Sequence, residues 1–140
     1  MNLGKRQEIF MRLLPRLIDK AHELNFEIRG GSLFRDPRLH GHKGFPDIMT
    51  WLEANYPVAY EAAKAAGYSA YGSRTSLHKD KCAIDLNLRN TRTSRGPSGM
   101  VWSTEGHREL GEWWEQQHEL CRWGGHFQDG NHYEFTPPKE

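Results

Sequence analysis

The sequence predicts an α+β fold with a small, mostly antiparallel sheet flanked by helices. Apolar residues recur at helical spacing over residues 6–24, whereas apolar and polar residues alternate over 82–88 and 132–135. Glycine and proline residues punctuate the segments between them. A chain of 140 residues with this mixture of elements is long enough to bury one core, so we expect a single domain over residues 1–140.

Composition excludes several classes of protein. A hydrophobic fraction of 36% and a charged fraction of 26% indicate a folded, globular chain rather than a disordered one. The net charge of +1 gives no electrostatic argument for a nucleic-acid partner. The apolar runs are short and interrupted by charge, so we expect no stable membrane insertion. Residues 1–10 lack the apolar centre of a signal peptide, and Cys82 and Cys121 are expected to be free, buried thiols of a cytoplasmic product.

The first half of the chain predicts one long helix, one strand and two short helices. Residues 6–24 form the amphipathic helix, although Pro15 interrupts it, and 25–30 form a short alternating strand. Residues 30–46 are rich in glycine and proline and predict a loop. Asp47 is a plausible N-cap for the next helix.

The helix that follows begins at Pro57 and ends at Gly67, since proline suits a first helical position and glycine a C-terminal one. Residues 82–88 then predict a half-buried strand whose polar face carries Asp85 and Asn87. The basic, turn-prone residues 89–99 predict an exposed loop.

The last part of the chain predicts a helix and a strand. Ser103 or Thr104 caps a helix that runs to about His118. The strand "HYEF" closes the domain, and its alternation places His132 and Glu134 on one face.

Three side chains form a candidate metal site. His78 lies seven residues before Asp85, a spacing that suits a loop residue and a strand residue aimed at one point, and His132 offers a third ligand. Two imidazoles and one carboxylate, with a fourth position for water, are a known ligand set of catalytic zinc. Such a site needs a general acid/base, and Asp129 lies on a turn three residues before His132.

Each of these residues also has an ordinary structural explanation. A single histidine is more often exposed or hydrogen-bonded in a core, and an aspartate before glycine is common in turns. A closed structural zinc site would need a fourth ligand, for which His126 and Cys82 are the candidates. We expect the remaining histidines to be solvated: His22, His40, His42, His107 and His118.

The amino-acid sequence around these residues resembles that of a known family. "SLHKDKCAIDLNL" followed by "RWGGHFQDGNHYEF" is similar to the M15 class of zinc-dependent peptidoglycan peptidases. That class includes phage L-alanyl-D-glutamate endopeptidases and bacterial D-alanyl-D-alanine carboxypeptidases. Its pattern is Ser-x-His, six residues and Asp, then Asp-x-x-His-x-Glu or His, often after Trp-Gly-Gly. The resemblance spans residues 6–136.

The resemblance implies a role for each matching residue. It implies Zn²⁺ ligation by His78, Asp85 and His132, and acid/base catalysis by Asp129. In "GSLFRD" it implies that Arg35 holds a substrate carboxylate or carbonyl oxygen, for which a guanidinium is well suited.

Two further positions match the family pattern. Ser76 is expected to orient the loop of the first ligand or to touch substrate, and Glu134 to support the last ligand from behind. The chain departs from the pattern at Cys82, where many relatives have glycine, and in the long segment between Arg35 and Ser76.

The resemblance also implies a function. It implies a monomeric endolysin-type hydrolase of the Hedgehog/DD-peptidase fold that cleaves peptidoglycan stem peptides, with an L-alanyl-D-glutamate endopeptidase favoured. Such a lysin is made in the host cytoplasm of a bacteriophage and acts on the cell wall after release. Two alternatives stay open: a D-alanyl-D-alanine carboxypeptidase, and a catalytically silent wall-binding or virion structural module.

Overall fold

A computed structural model of the protein describes residues 1–29, 31, 44–69, 76–92 and 99–139. Its elements, in chain order, are α1 (Leu3–Glu23), β1 (Phe26–Arg29), α2 (Ile48–Asn55), α3 (Pro57–Ala65), β2 (Ala83–Asp85), β3 (Asn87–Asn90), β4 (Met100–Val101), α4 (Arg108–Glu115), β5 (Cys121–Trp123) and β6 (His132–Phe135). Helices and short antiparallel strands confirm the predicted α+β class.

The chain groups into two compact units. One consists of Met1–Leu33 and Cys82–Glu140, and the other of Phe34–Lys81. The expectation of a single domain stays a prediction. Among the described residues, no helix combines the length and the apolar character needed to cross a membrane.

The first unit contains two three-stranded antiparallel sheets, with strand orders β1-β3-β4 and β2-β6-β5. The prediction of one strand over 82–88 is therefore wrong. The chain leaves the first strand at the buried Leu86, whose N–H donates to the Asn131 carbonyl over 2.8 Å. Residues before this point pair with β6 and residues after it with β1, so one alternating segment serves two sheets.

Helix α1 lies where it was predicted. The Asn2 side chain caps it by accepting the Lys5 N–H over 2.9 Å, and this cap explains why the helix starts three residues before the predicted boundary. Pro15 is accommodated on the exposed face of the helix. The buried face includes Phe10, which meets Trp114 of α4 edge to face at 6.2 Å between ring centroids.

The second half of the first unit differs from its prediction in two respects. The exposed loop of 89–99 begins later than expected, because β3 continues to Asn90; residues 93–98 lie outside the described part. The helix expected from Ser103 to about His118 is a 3₁₀ turn, Glu105–His107, followed by the shorter α4. Thr104 occupies the N-cap position of the turn without a side-chain cap bond, while the Oγ of Ser103, one residue earlier, accepts the Gly106 N–H over 3.1 Å.

The second unit contains α2, α3 and a turn over 76–81. The predicted cap is confirmed, because one Asp47 oxygen accepts the Thr50 N–H over 2.8 Å and the other accepts its hydroxyl over 3.0 Å. Met49 and Tyr60 form a small core between the two helices. The predicted helix boundaries at Pro57 and Gly67 are likewise confirmed.

Candidate metal centre

Two of the predicted ligands are brought together by strand register. Asp85 ends β2 and His132 begins β6, and the two residues are direct partners in this antiparallel pair. Opposite residues in such a pair present their side chains on the same face. The Asp85 Oδ1 and His132 Nδ1 atoms are consequently 3.2 Å apart.

The third predicted ligand, His78, comes from the turn over 76–81. Its backbone N–H donates to the Ser76 Oγ over 3.3 Å, a local hydrogen bond within the turn. Both histidines are buried, and Asp85 is half-buried. One ligand atom from each of His78, Asp85 and His132 lies within 4.8 Å of the other two.

The donor set fits a small divalent ion. Ligands at zinc–nitrogen and zinc–oxygen distances of 2.0–2.2 Å in a tetrahedron are separated by about 3.3 Å. The 3.2 Å between Asp85 and His132 already matches one edge of such a tetrahedron. The three side chains could therefore hold a metal ion.

His132 is held by carboxylates at both ring nitrogens. Nε2 is 2.6 Å from Glu134 Oε2, on the side opposite to Asp85. Burial lowers the pKa of His132, but the hydrogen bonds and negative charges of Asp85 and Glu134 outweigh burial and raise the pKa to about 9. Conversely, burial raises the pKa of Glu134, but His132 and Arg122 together hold it below its usual value. Glu134 thus contacts the ligand that the sequence assigned it to support.

Asp129 faces the same nitrogen as Asp85. Its Oδ2 is 3.8 Å from His132 Nδ1, and its side chain is half exposed, so water reaches it. The backbone fixes this position, because the Asp129 N–H donates to the Gly124 carbonyl over 2.9 Å. A Cβ at Gly124 would lie 2.2 Å from the Asp129 carbonyl oxygen and 2.8 Å from the His132 Cβ. The glycine is therefore required for this close turn.

Arg35 lies outside the described residues, so its role stays a prediction. Gly31, four residues earlier, lies against the backbone of Asp85. A Cβ at Gly31 would be 1.9 Å from the Asp85 carbonyl oxygen, which leaves no room for a side chain. The start of "GSLFRD" is therefore next to a predicted ligand.

The two candidates for a fourth ligand have other surroundings. His126 is exposed, and its Nε2 lies 2.7 and 2.9 Å from the two carboxylate oxygens of Glu115. Cys82 and Cys121 are both buried and form no disulfide, in agreement with the prediction for both. Within the described part of the chain, the potential ligand group consists of His78, Asp85 and His132.

Sequence reasoning missed two residues beside the site. Arg122 forms an ion pair with Glu134, and the ring of Phe127 meets that of His132 at 5.7 Å between centroids. The pairing of Arg122 with Glu134 follows from the register of β5 and β6. Opposite charges on two strands could have suggested it, but residues 124–131 separate the strands and leave the register open.

Comparisons with known proteins do not identify the chain: no family model, no curated protein and no solved structure matches it. Function must therefore be argued from two sources. One is the side-chain geometry described above, and the other is the resemblance of the two sequence blocks that contain these side chains.

Proposed function

We propose that the protein is a zinc-dependent peptidase that cleaves peptidoglycan stem peptides. The observation that carries the proposal is the convergence of His78, Asp85 and His132 within 4.8 Å, with the exposed Asp129 carboxylate 3.8 Å from His132 Nδ1. The two sequence blocks that contain these residues support the substrate class and a fold of the Hedgehog/DD-peptidase type.

The ligand set favours zinc and leaves a position for water. Two imidazoles and one carboxylate are typical of hydrolytic zinc sites, whereas closed structural sites use four protein ligands. When bound, zinc lowers the pKa of a water to about 7 and polarises the carbonyl of the substrate.

Asp129 handles the proton. A general base must come within hydrogen-bond reach of the water whose proton it takes. The exposed Asp129 carboxylate, 3.8 Å from His132 Nδ1, supports this role. In the proposed reaction Asp129 accepts a proton as the water oxygen bonds to the peptide carbon. It returns the proton to the amine as the carbon–nitrogen bond breaks. The products are a carboxylate and an amine.

Arg35 completes the proposed site. Its guanidinium would hold a substrate carboxylate or the developing oxyanion, since a fixed fork of donors suits both. The favoured bond is the one between L-alanine and D-glutamate, and the proposed protein is a monomeric phage endolysin that reaches the wall after release from the host cytoplasm.

The test uses purified sacculi and zinc-supplemented protein. The wild type is compared with Asp129→Asn, and Asp19→Asn on the exposed face of α1 serves as the control. We expect the wild type and the control to release peptides with new D-glutamate amino termini, and Asp129→Asn to be at least about 100-fold slower.

The released products separate the alternatives. Free D-alanine, detected by mass spectrometry, would identify a carboxypeptidase instead of an endopeptidase. Equally low release by the wild type and by Asp129→Asn would overturn the enzyme proposal in favour of a silent wall-binding or structural module.

A further inference from the structure

Arg122, which is outside the predicted site, is hydrogen-bonded to Glu134, the carboxylate that supports His132. The register of β5 and β6 places Arg122 directly opposite Glu134. The Nε atom of Arg122 donates a hydrogen bond to Oε1 of Glu134, and Nη2 forms an ion pair with the same oxygen. The other oxygen, Oε2, lies 2.6 Å from Nε2 of His132. One carboxylate thus divides its two oxygens between the guanidinium and the imidazole.

This division restricts what Glu134 can do. Its side chain is 4% exposed, and a buried carboxylate needs compensating charge and hydrogen bonds to stay ionised. Arg122 supplies a permanent positive charge beside Oε1 and holds that oxygen through its guanidinium. The ionised, immobile carboxylate can then accept only a proton-bearing Nε2 from His132. Nδ1 is left as the nitrogen that faces Asp85, 3.2 Å away.

Phe127 closes the arrangement from the other side. The guanidinium of Arg122 lies 5.3 Å from the centre of the Phe127 ring, and that ring meets the His132 ring nearly edge to face at 5.7 Å. Arg122, Glu134, His132 and Phe127 therefore contact one another in a closed circuit. Rotation of the imidazole would break the Glu134 bond and the ring contact together.

We infer that Arg122 is a positioning residue for the metal ligand His132: through Glu134 it holds the proton on Nε2 and turns Nδ1 toward the ion. The inference depends on the metal site of the proposed function. It goes further because it assigns a role to a residue on β5 that touches neither ion nor substrate. Hydrogen-bonded partners of this kind orient a ligand and strengthen its bond to the metal.

The chain supplies a matched control in Arg108. Its side chain is 48% exposed, against 51% for Arg122, and it likewise forms ion pairs, with Glu105 and Glu112. Its guanidinium also lies over an aromatic ring, 5.5 Å from the centre of Trp123. Arg108 differs in that its partners are exposed glutamates of its own segment.

The first measurement is the dissociation constant for zinc, obtained by competition with a chromophoric chelator. We expect Arg122→Gln to weaken zinc binding by about 10-fold to 100-fold, the usual cost of losing a partner of a ligand. Arg122→Lys retains the positive charge but lacks the planar guanidinium, so its zinc affinity should lie between those of Arg122→Gln and the wild type. Arg108→Gln should bind zinc as the wild type does. Equal affinities for Arg122→Gln and Arg108→Gln would overturn the inference.

A double-mutant cycle tests whether Arg122 acts through Glu134. If it does, adding Arg122→Gln to Glu134→Gln should cost little more zinc affinity than Glu134→Gln alone, because the two residues form one unit. Fully additive losses would show that Arg122 acts by another route and would contradict the inference.

A metal-free readout separates this inference from the proposed function. Proton NMR of ¹⁵N-labelled protein detects the Nε2-bound proton of His132 and its exchange with water. We expect slow exchange in the wild type and Arg108→Gln, and faster exchange in Arg122→Gln. Absence of zinc binding by the wild type would defeat the proposed function, while unchanged exchange in Arg122→Gln would defeat the positioning role.

Discussion

Each face of strand β6 contacts a buried histidine, and the pKa values of the two histidines are shifted in opposite directions. His132, on one face, is 6% exposed, and its carboxylate partners raise its pKa to about 9. His107 is bonded to the next residue, Tyr133, on the other face; it is 1% exposed, and burial lowers its pKa. Similar burial is thus accompanied by a raised pKa on one face and a lowered pKa on the other.

The difference lies in the partners. His107 Nε2 lies 3.2 Å from the Val101 carbonyl oxygen, which can only accept, so Nε2 carries the proton. Nδ1 then accepts from the Tyr133 hydroxyl over 2.9 Å, and burial raises the pKa of that hydroxyl far above its usual value. A neutral acceptor and a neutral donor stabilise a neutral ring, whereas two carboxylates stabilise an imidazolium. Among the described residues, it is the face with the carboxylates that contributes to a donor group able to hold a metal ion.

The largest expected effect tests the metal-binding face directly. His132→Ala removes one of three proposed ligands. Loss of a residue that only supports a ligand lowers metal affinity by up to about 100-fold, so zinc affinity should fall further than that in His132→Ala. Asp129→Asn should retain zinc, because Asp129 is proposed to handle a proton rather than to bind the ion. Metal content after dialysis, measured by mass spectrometry, distinguishes the two variants.

His126→Ala is the control for that comparison. It lies in the same segment, but its imidazole pairs with Glu115 instead of the potential ligand group, so zinc content should not change. Equal retention of zinc by His132→Ala and Asp129→Asn would contradict the division of roles between the two residues.

The grouping of His78, Asp85 and His132 could be predicted from the sequence better than the contacts on the opposite face of β6. Histidine and aspartate are residue types that bind metals, and the two sequence blocks that contain them match a family pattern, although their spacing alone is a weak signal. The expectation that His107 is solvated is wrong, because this residue is buried and its ring is hydrogen-bonded to Tyr133, 26 residues away. Nothing in the local pattern around His107 reports that pairing.

The strand break and Arg122 show the same limit. The alternation over 82–88 continues unchanged through Leu86, because both sheets need the same period, and only the pairing partners reveal two strands. Arg122 contacts Glu134 because the two residues are opposite each other in the pairing of β5 with β6. The sequence of the segment that connects the two strands does not determine this register. Local periodicity predicts where helices and strands lie along the chain, but it does not predict which distant elements pair with one another.

A smaller effect tests the neutral face. Tyr133→Phe removes the donor to His107 Nδ1 and leaves a buried acceptor without that partner. The free energy of unfolding should fall by about 1–3 kcal/mol, with zinc affinity unchanged because the hydroxyl lies on the far side of β6 from the ligands. Chemical denaturation and chelator competition measure the two quantities.

Tyr68→Phe, at an exposed tyrosine, is the control and should leave both quantities as in the wild type. A loss of zinc affinity in Tyr133→Phe without a loss of stability would mean that the two faces are not independent.

The smallest effect concerns pH. The folded-state pKa of His107 is below the unfolded value of 6.5, so the unfolded chain binds more protons between these two pKa values. The contribution of His107 to the free energy of unfolding is therefore complete above pH 6.5 and declines as the pH falls toward the folded-state pKa. His107→Gln keeps one donor and one acceptor but does not titrate, so its stability should depend less on pH in this window than that of the wild type.

Urea denaturation of the metal-free proteins at a series of pH values below 6.5 measures the difference, with His22→Gln at a half-exposed position as the control. Parallel pH dependences for the wild type and His107→Gln would show that the buried ring is not held neutral, and the contrast between the two faces of β6 would then fail.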